Sequence, residues 1–140
     1  MSHQVEQILK EAGIRPTAIR QMVLREIIAY DHTFTLNEME QRIGTIDRST
    51  LFRTLMLFVE RKILHDIDNG SGSKLFCRCE CTHSHHHVPH IHFTCTVCHE
   101  TFCIKDIDIS TIPIPAGYEV TEVNLVMKGV CPKCRKSKQN

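Results

Sequence analysis

The chain has 140 residues, of which 41% are hydrophobic and 24% are charged. This length suits one ordinary domain or two small ones and excludes a large enzyme core. The 17 Lys and Arg residues nearly balance the 16 Asp and Glu residues. The net charge therefore indicates neither an overall positive potential that would attract nucleic acid nor an acidic, disordered chain. No stretch approaches the roughly 20 apolar residues of a membrane span, so we expect a cytoplasmic protein that is neither secreted nor inserted in a membrane.

Three helices are predicted in the first 44 residues. The first has apolar residues at helical spacing and stops at Gly13, a residue type that commonly ends helices. The second begins at Thr17, and its apolar face consists of Ile19, Met22, Val23 and Ile27. The third begins at Thr35, which forms a capping box with Glu38, and it ends at Gly44.

A fourth predicted helix, over residues 47–62, has two different faces. The apolar face consists of Leu51, Leu55, Phe58 and Val59. The outward face near the N-terminal end carries Arg48, Ser49, Phe52 and Arg53. This is the layout of a DNA-recognition helix, although a core helix with solvated arginines fits the pattern equally well.

Strands are predicted after the fourth helix. Residues 63–68 and 74–78 form a hairpin around the glycine-rich residues 69–73, and helices followed by a hairpin indicate a winged helix. Further strands are predicted mainly over residues 92–96, 101–104 and 118–127. Pro and Gly residues between the last two of these strands argue against a long helix in that segment.

The eight Cys and ten His residues are the most informative part of the composition. In a reducing compartment, thiols favour metal sites over disulfides. All eight Cys and seven of the ten His residues lie from Cys77 onward. This shift predicts a first domain over residues 1–80, a Cys/His-rich hinge over residues 81–91 and a second domain over residues 92–140.

Two CxxC pairs predict a structural zinc site. They are Cys95 with Cys98 and Cys131 with Cys134. The two-residue gap lets both thiolates of a pair reach one ion, and four thiolates satisfy tetrahedral Zn²⁺ at about 2.3 Å. The alternative, two redox dithiols or disulfides, lacks the surrounding strand-CxxC-helix pattern. Because a domain of this size has little core, zinc is expected to supply much of its folding free energy.

A second group of ligand-type residues precedes and follows the first CxxC pair. His90 and His92 alternate, so on a strand their imidazoles share one face and favour a metal site. The His-rich residues 83–87 are interpreted as a solvent-exposed metal scavenger. A site that mixes imidazoles with thiolates suits Zn²⁺ better than Fe²⁺.

An enzyme is not predicted. Neither the HExxH motif nor the deaminase pattern of zinc hydrolases is present. No carboxylate is placed to act as a general base on metal-bound water, and Glu80 and Glu100 are interpreted as surface residues.

Three segments in this order resemble the ferric uptake regulator family of metal-dependent bacterial repressors. They are GIRPTAIR at residues 13–20, RSTLFRTL at residues 48–55, and the HxHxxCxxC motif of residues 90–98 completed by Cys131 and Cys134. The resemblance covers nearly the whole chain and implies an α+β protein. Its expected parts are an N-terminal winged helix-turn-helix domain, a small C-terminal α/β dimerisation domain with the four-cysteine zinc site, and a sensory metal site at the hinge. The implied function is a homodimeric repressor that binds palindromic double-stranded DNA and controls metal uptake genes.

The resemblance also implies which residues contact DNA. Arg15 matches the family's basic residue that enters the minor groove. Phe52 and Arg53 match the Tyr-Arg pair of the recognition helix, although Phe52 lacks the hydroxyl group. The expected DNA-binding set is Arg15, Arg20, Arg48, Ser49, Phe52, Arg53 and Lys74.

The expected sensory ligands are closest to those of the zinc uptake regulator branch. That branch has a Cys three residues after the aromatic residue that closes the wing, which here is Cys79. The expected set is His65, Cys79, His90, His92 and Cys103, with Cys77 or Cys81 as alternatives to Cys79. This is one ligand more than zinc needs.

Two alternatives to a zinc-responsive repressor are an iron- or peroxide-responsive regulator with Fe²⁺ at the regulatory site, and a zinc-buffering protein. The family's dimerisation helix, expected after Cys103, is predicted to be shortened or lost.

Overall fold

The computed structural model describes residues 2–30, 32–68, 70, 72–78, 90–104, 113–120 and 124–138. The chain forms two compact units, Met1–Cys79 and Glu80–Asn140. Among the described residues, no helix is both long enough and apolar enough to cross a membrane.

The first unit contains all four predicted helices. They are α1 (Ser2–Glu11), α2 (Ala18–Tyr30), α3 (Leu36–Ile43) and α4 (Arg48–Glu60). Their apolar faces pack into one core with residues of the loops and the small sheet. The buried members of this core are Val5, Leu9, Ile14, Val23, Leu24, Ile27, Phe34, Met39, Leu51, Leu55, Phe58, Ile63, Leu64 and Phe76.

The two ends of α3 follow local sequence signals. The hydroxyl of Thr35 accepts a hydrogen bond from the backbone N–H of Glu38 at 3.2 Å, which is the N-cap that the sequence predicts. Gly44 ends the helix at φ +71°, in the left-handed region that glycine adopts without a steric penalty. The Glu38 carboxylate also accepts a hydrogen bond from the Tyr30 hydroxyl at 3.1 Å.

A three-stranded antiparallel sheet completes the first unit. Its strands are β1 (Phe34–Thr35), β2 (His65–Ile67) and β3 (Leu75–Cys77), in the order β1-β3-β2. The predicted hairpin is therefore confirmed, with shorter strands than the sequence indicated. β1 was not predicted because two residues are too short to show a strand periodicity. The Phe34 and Phe76 rings stack across the sheet with centroids 5.6 Å apart and join it to the helical core.

The second unit contains a different three-stranded sheet. Its strands are β4 (His90–Cys95), β5 (Thr101–Ile104) and β6 (Asn124–Gly129), and α5 (Pro132–Lys138) follows. The order is β5-β4-β6, so β4 is central, antiparallel to β5 and parallel to β6.

The bounds of two predicted strands in the second unit are wrong, and one helix was not predicted. β4 covers His90–Cys95, whereas a strand over residues 92–96 was expected. The last strand was expected over residues 118–127, whereas residues 118–120 lie outside β6 and the strand continues to Gly129. It continues because the parallel pairing with β4 extends to Cys95, opposite Gly129. α5 was not predicted, since its seven residues are mostly basic and lack an apolar face. The expected loss of the dimerisation helix falls mainly on residues 105–112, which lie outside the described residues.

Candidate functional site

The two CxxC pairs meet in the second unit. Cys95 ends β4 and Cys98 follows in the next turn, while Cys131 and Cys134 lie at the start of α5. All four Sγ atoms lie within 4.8 Å of one another. The Sγ atoms of Cys98 and Cys131 are 3.9 Å apart, close to the roughly 3.8 Å edge of a tetrahedron with zinc-sulfur bonds of about 2.3 Å. The donor set therefore fits a structural zinc ion.

The parallel pairing of β4 and β6 brings the two pairs together. Cys95 lies opposite Gly129, two residues before Cys131. The carbonyl of Gly129 accepts hydrogen bonds from the backbone N–H of Thr96 at 2.7 Å and from its hydroxyl at 3.1 Å. A side chain at Gly129 would lie 3.2 Å from the Phe93 ring, so a residue without a Cβ suits this close approach.

Backbone donors polarise the thiol cluster. Burial raises the pKa of Cys95, but N–H groups of Cys131, Cys98 and Val97 lower it more, and the resulting pKa is about 6. These N–H groups lie 3.4, 3.5 and 3.4 Å from its Sγ. The neighbouring Cys131 thiol and burial raise the pKa of Cys134 to about 12. Four thiolates therefore need a cation between them, which a divalent metal supplies.

A His-Cys pair lies elsewhere on the second sheet. His92 on β4 is the register partner of Cys103 on β5, so their side chains lie on the same face. Their ligand atoms are within 4.8 Å of each other. His92 is only 1% exposed, and a buried imidazole beside a thiol offers the mixed N and S ligands that zinc accepts.

The first unit carries a similar pair. His65 on β2 is the register partner of Cys77 on β3. Cys77 is buried, with 5% of its surface exposed, and His65 is half-buried. Cys77 is expected from the sequence only as an alternative to Cys79, because cross-strand register is not visible in the spacing of ligands along the chain.

Other expected sensory residues are only partly described. His90 is the first residue of β4. Cys79, Cys81 and the His-rich residues 83–87 lie outside the described part of the chain. Glu100, interpreted from the sequence as a surface residue, is exposed.

Helix α4 has the two faces that its sequence indicates. Asp47 caps its N-terminus by accepting a hydrogen bond from the backbone N–H of Thr50 at 3.0 Å. The buried face consists of Leu51, Thr54, Leu55 and Phe58. Ser49, Phe52 and Arg53 are exposed, and Phe52 has 41% of its surface accessible to solvent. An exposed aromatic ring beside an arginine on a capped helix can contact bases and phosphates.

Two other expected DNA-binding residues also contact acidic or polar groups of the protein. Arg48 donates a hydrogen bond to the Asn37 Oδ1 atom at 2.6 Å and forms an ion pair with Glu40. Lys74 lies 3.4 Å from the Asp66 carboxylate across the hairpin. These contacts are solvent-accessible, so the cations remain available to an additional anion.

Arg15 and Arg20 lie at the junction of α1 and α2. Arg15 is exposed in the connecting loop, and Arg20 is half-buried in the first turn of α2. The Arg20 Nη1 atom donates a hydrogen bond to the backbone carbonyl of Arg15 at 3.0 Å. One of the two expected DNA-binding arginines thus contacts the backbone of the other.

Comparisons with known proteins agree on one family. Residues 11–128 match the model of the Ferric uptake regulator family. The ferric uptake regulation protein of Synechococcus elongatus is 29% identical over 139 residues, which covers 92% of this chain and 91% of the relative. The peroxide-responsive repressor PerR of Staphylococcus aureus strain Mu50 is 26% identical over 146 residues, with 96% and 94% covered.

Solved structures show the same fold. The Vibrio cholerae ferric uptake regulator has a TM-score of 0.66 at 24% identity and covers 90% of this chain and 98% of its own. A zinc uptake regulator complexed with zinc and DNA has a TM-score of 0.75 at 17% identity, with 99% and 95% covered. The predicted α+β fold with a four-cysteine cluster is confirmed.

Proposed function

Since the chain belongs to the ferric uptake regulator family, whose members are metal-responsive transcriptional regulators and not enzymes, we propose that it is a zinc-responsive repressor of metal uptake genes. Regulators of this family bind DNA and act as dimers. The proposed form is a homodimer that binds a palindromic operator, with one α4 helix of each protomer in the major groove.

The observation that carries the zinc assignment is the His92-Cys103 pair. A buried imidazole and a thiol face each other across β4 and β5. Thiolate ligands shift the preference of a site toward zinc, whereas oxygen-rich sites suit harder cations. The proposed structural site holds Zn²⁺ at Cys95, Cys98, Cys131 and Cys134, where the ligand spacing fits a closed tetrahedral site.

The proposed sensory ligands are His65, Cys79, His90, His92 and Cys103. The burial of His92 and its register with Cys103 support these two members. Cys77, which is buried opposite His65, is the alternative to Cys79. Serine substitution at each of the two cysteines separately identifies which thiol the regulatory zinc requires.

Metal regulates DNA binding only if it binds the DNA-competent conformation more tightly than other conformations. A coupling free energy of about 1 to 3 kcal/mol, which is typical of allosteric proteins in general, corresponds to a change of about 5- to 150-fold in DNA affinity. The residues proposed to contribute to DNA binding, by contacting DNA or by positioning a neighbour that does, are Arg15, Arg20, Arg48, Ser49, Phe52, Arg53 and Lys74.

The first experiment is selection from a randomised pool of duplex DNA by the purified protein. One selection uses buffered free Zn²⁺, one uses protein without the labile metal, and one uses Fe²⁺ under anaerobic conditions. We expect a palindrome to be enriched with zinc and lost without labile metal. Failure to enrich any duplex would contradict the repressor function and favour zinc buffering.

Two cysteine variants separate the regulatory and structural sites. Cys103→Ser should keep one tightly bound zinc per chain and a wild-type unfolding transition, yet lose zinc-dependent DNA binding. Cys98→Ser is the matched variant and should lose the tightly bound zinc. Zinc-dependent DNA binding that is unchanged in Cys103→Ser would refute the proposed regulatory site.

An iron- or peroxide-responsive regulator is the second candidate function. It is favoured by two relatives, a ferric uptake regulation protein from Synechococcus elongatus and a peroxide-responsive repressor from Staphylococcus aureus. It predicts that Fe²⁺ activates DNA binding at a lower free concentration than Zn²⁺. Parallel binding titrations in buffered solutions of each metal discriminate the two candidates.

A further inference from the structure

The loop between α1 and α2 is fixed at its first end by a helix-terminating motif. Gly13 has φ +72°, and its N–H donates to the Lys10 carbonyl at 3.0 Å. The N–H of Ile14 donates to the Leu9 carbonyl at 2.8 Å, and the Ile14 side chain is buried in the core. These two hydrogen bonds and the buried side chain are the features of a Schellman motif.

Two side chains from α2 fix the rest of the loop. The Arg15 carbonyl accepts hydrogen bonds from the Thr17 N–H at 2.9 Å and from the Arg20 Nη1 atom at 3.0 Å. The next carbonyl, that of Pro16, accepts one from the Gln21 Nε2 atom at 3.0 Å. The backbone carbonyls of the two consecutive residues Arg15 and Pro16 are therefore both bound by side chains of the following helix.

The same loop in turn caps that helix. The Thr17 hydroxyl accepts a hydrogen bond from the Arg20 N–H at 3.3 Å, and the Thr17 carbonyl accepts one from the Gln21 N–H at 3.0 Å. The backbone that carries Arg20 and Gln21 is thus held by the loop that their side chains bind. This reciprocal arrangement leaves the exposed Arg15 side chain on a short backbone segment with few accessible conformations.

We propose that Arg20 and Gln21 are positioning residues that hold the Arg15 loop in its DNA-binding conformation, and that Arg20 does not itself bind phosphate. This inference rests on the proposed DNA-binding function and changes the role expected for Arg20. A guanidinium that donates to a backbone carbonyl is oriented by that bond. Ordering the loop before binding lowers the entropy cost of placing Arg15 against DNA.

A double-mutant cycle tests the proposal. The probe is the duplex that the wild-type protein enriches at buffered free Zn²⁺, and the readout is the dissociation constant from fluorescence anisotropy. Arg20→Gln should weaken binding by about 10-fold in the wild-type background but by less than about 2-fold in the Arg15→Ala background, because residues that act through one contact are not additive.

Salt dependence distinguishes positioning from direct phosphate contact. In the Arg15→Ala background, adding Arg20→Gln should leave the slope of log affinity against log salt unchanged. A phosphate contact by Arg20 would instead reduce that slope by about 0.9. Additive losses of affinity, or this reduction in slope, overturn the proposal.

Gln21→Met tests the hydrogen bond from the Gln21 side chain to the Pro16 carbonyl without changing the net charge. Methionine keeps the approximate length of the side chain but removes the N–H donor to Pro16. The affinity loss should again depend on the presence of Arg15, and hydrogen exchange at the Thr17 amide should accelerate.

Arg25→Gln, at an exposed position of the same helix, is the charge-matched control for Arg20→Gln. Its effect on affinity should be the same in the wild-type and Arg15→Ala backgrounds.

Failures of the two proposals are distinguishable. If the wild-type protein enriches no duplex under any metal, the DNA-binding function fails and the positioning role fails with it. If the wild-type protein binds its duplex but the cycles are additive, only the positioning role fails. Thermal unfolding of each variant identifies any affinity loss that comes from an unfolded fraction, and Gln21→Met then provides the independent test.

Discussion

The two phenylalanines of α4 should separate DNA binding from folding. Phe58 is fully buried in the core, whereas Phe52 is 41% exposed on the same helix. A phenylalanine side chain has about 200 Å² of surface, so about 80 Å² of Phe52 is available for a partner. At about 25 cal/mol per Å², covering this area against DNA is worth about 2 kcal/mol. Phe52→Ala should therefore weaken operator binding by about 30-fold.

The matched variant is Phe58→Ala. It should lower the free energy of unfolding by about 3 to 5 kcal/mol because it opens a cavity in the core. Phe52→Ala should change that free energy far less, and Phe52→Tyr should retain binding because the ring remains. The assays are urea unfolding followed by circular dichroism and anisotropy titration with the selected duplex. Equal destabilisation by both alanine variants, or unchanged DNA affinity in Phe52→Ala, would refute the assignment of the two faces.

Three further results are expected. Arg53→Gln should reduce the slope of log DNA affinity against log salt by about 0.9 if it binds one phosphate, and an unchanged slope would contradict that contact. Zinc uptake by the reduced apoprotein at pH 7.5 should release fewer than four protons, because the pKa of Cys95 is about 6 while that of Cys134 is about 12. An indicator dye measures the released protons, and release of four would contradict a thiolate at Cys95 in the apoprotein. Hydrogen bonds from Thr50 lower the pKa of Asp47, so its stabilising effect should be present above the unfolded-state pKa and lost as the pH falls through the lower folded-state pKa. The difference in urea midpoint between the wild-type protein and Asp47→Asn should accordingly shrink in acid, and a constant difference would argue against this linkage.

Local features were the most predictable part of the fold. Thr35 and Gly44 bound α3 because capping depends on a few consecutive residues, which the sequence displays directly. The four-cysteine cluster was predictable for a related reason. Each CxxC turn supplies two ligands locally, and a tetrahedral ion accepts only a small number of ligand sets.

Features that depend on distant pairing were not predictable. The start of β6 depends on its parallel register with β4, and the opposition of His65 and Cys77 depends on the register of β2 with β3. Strands of three to six residues are too short for their pattern of apolar and polar residues to indicate either register. The bond from Arg20 to the Arg15 carbonyl was missed because an arginine in a basic motif does not reveal whether its partner is a phosphate or a backbone oxygen.

The topology of the second sheet has a kinetic consequence. β4 and β5 form a hairpin in which Thr94 and Thr101 are 7 residues apart, whereas Cys98 and Cys131 are separated by 33 residues. Closing the long segment costs more chain entropy than closing the short one, so we expect the hairpin to form before β6 docks beside β4. The first CxxC turn would then hold a partly coordinated ion while the second one arrives. Refolding of this unit should therefore accelerate with free zinc, and zinc supply would then control how fast the protein matures.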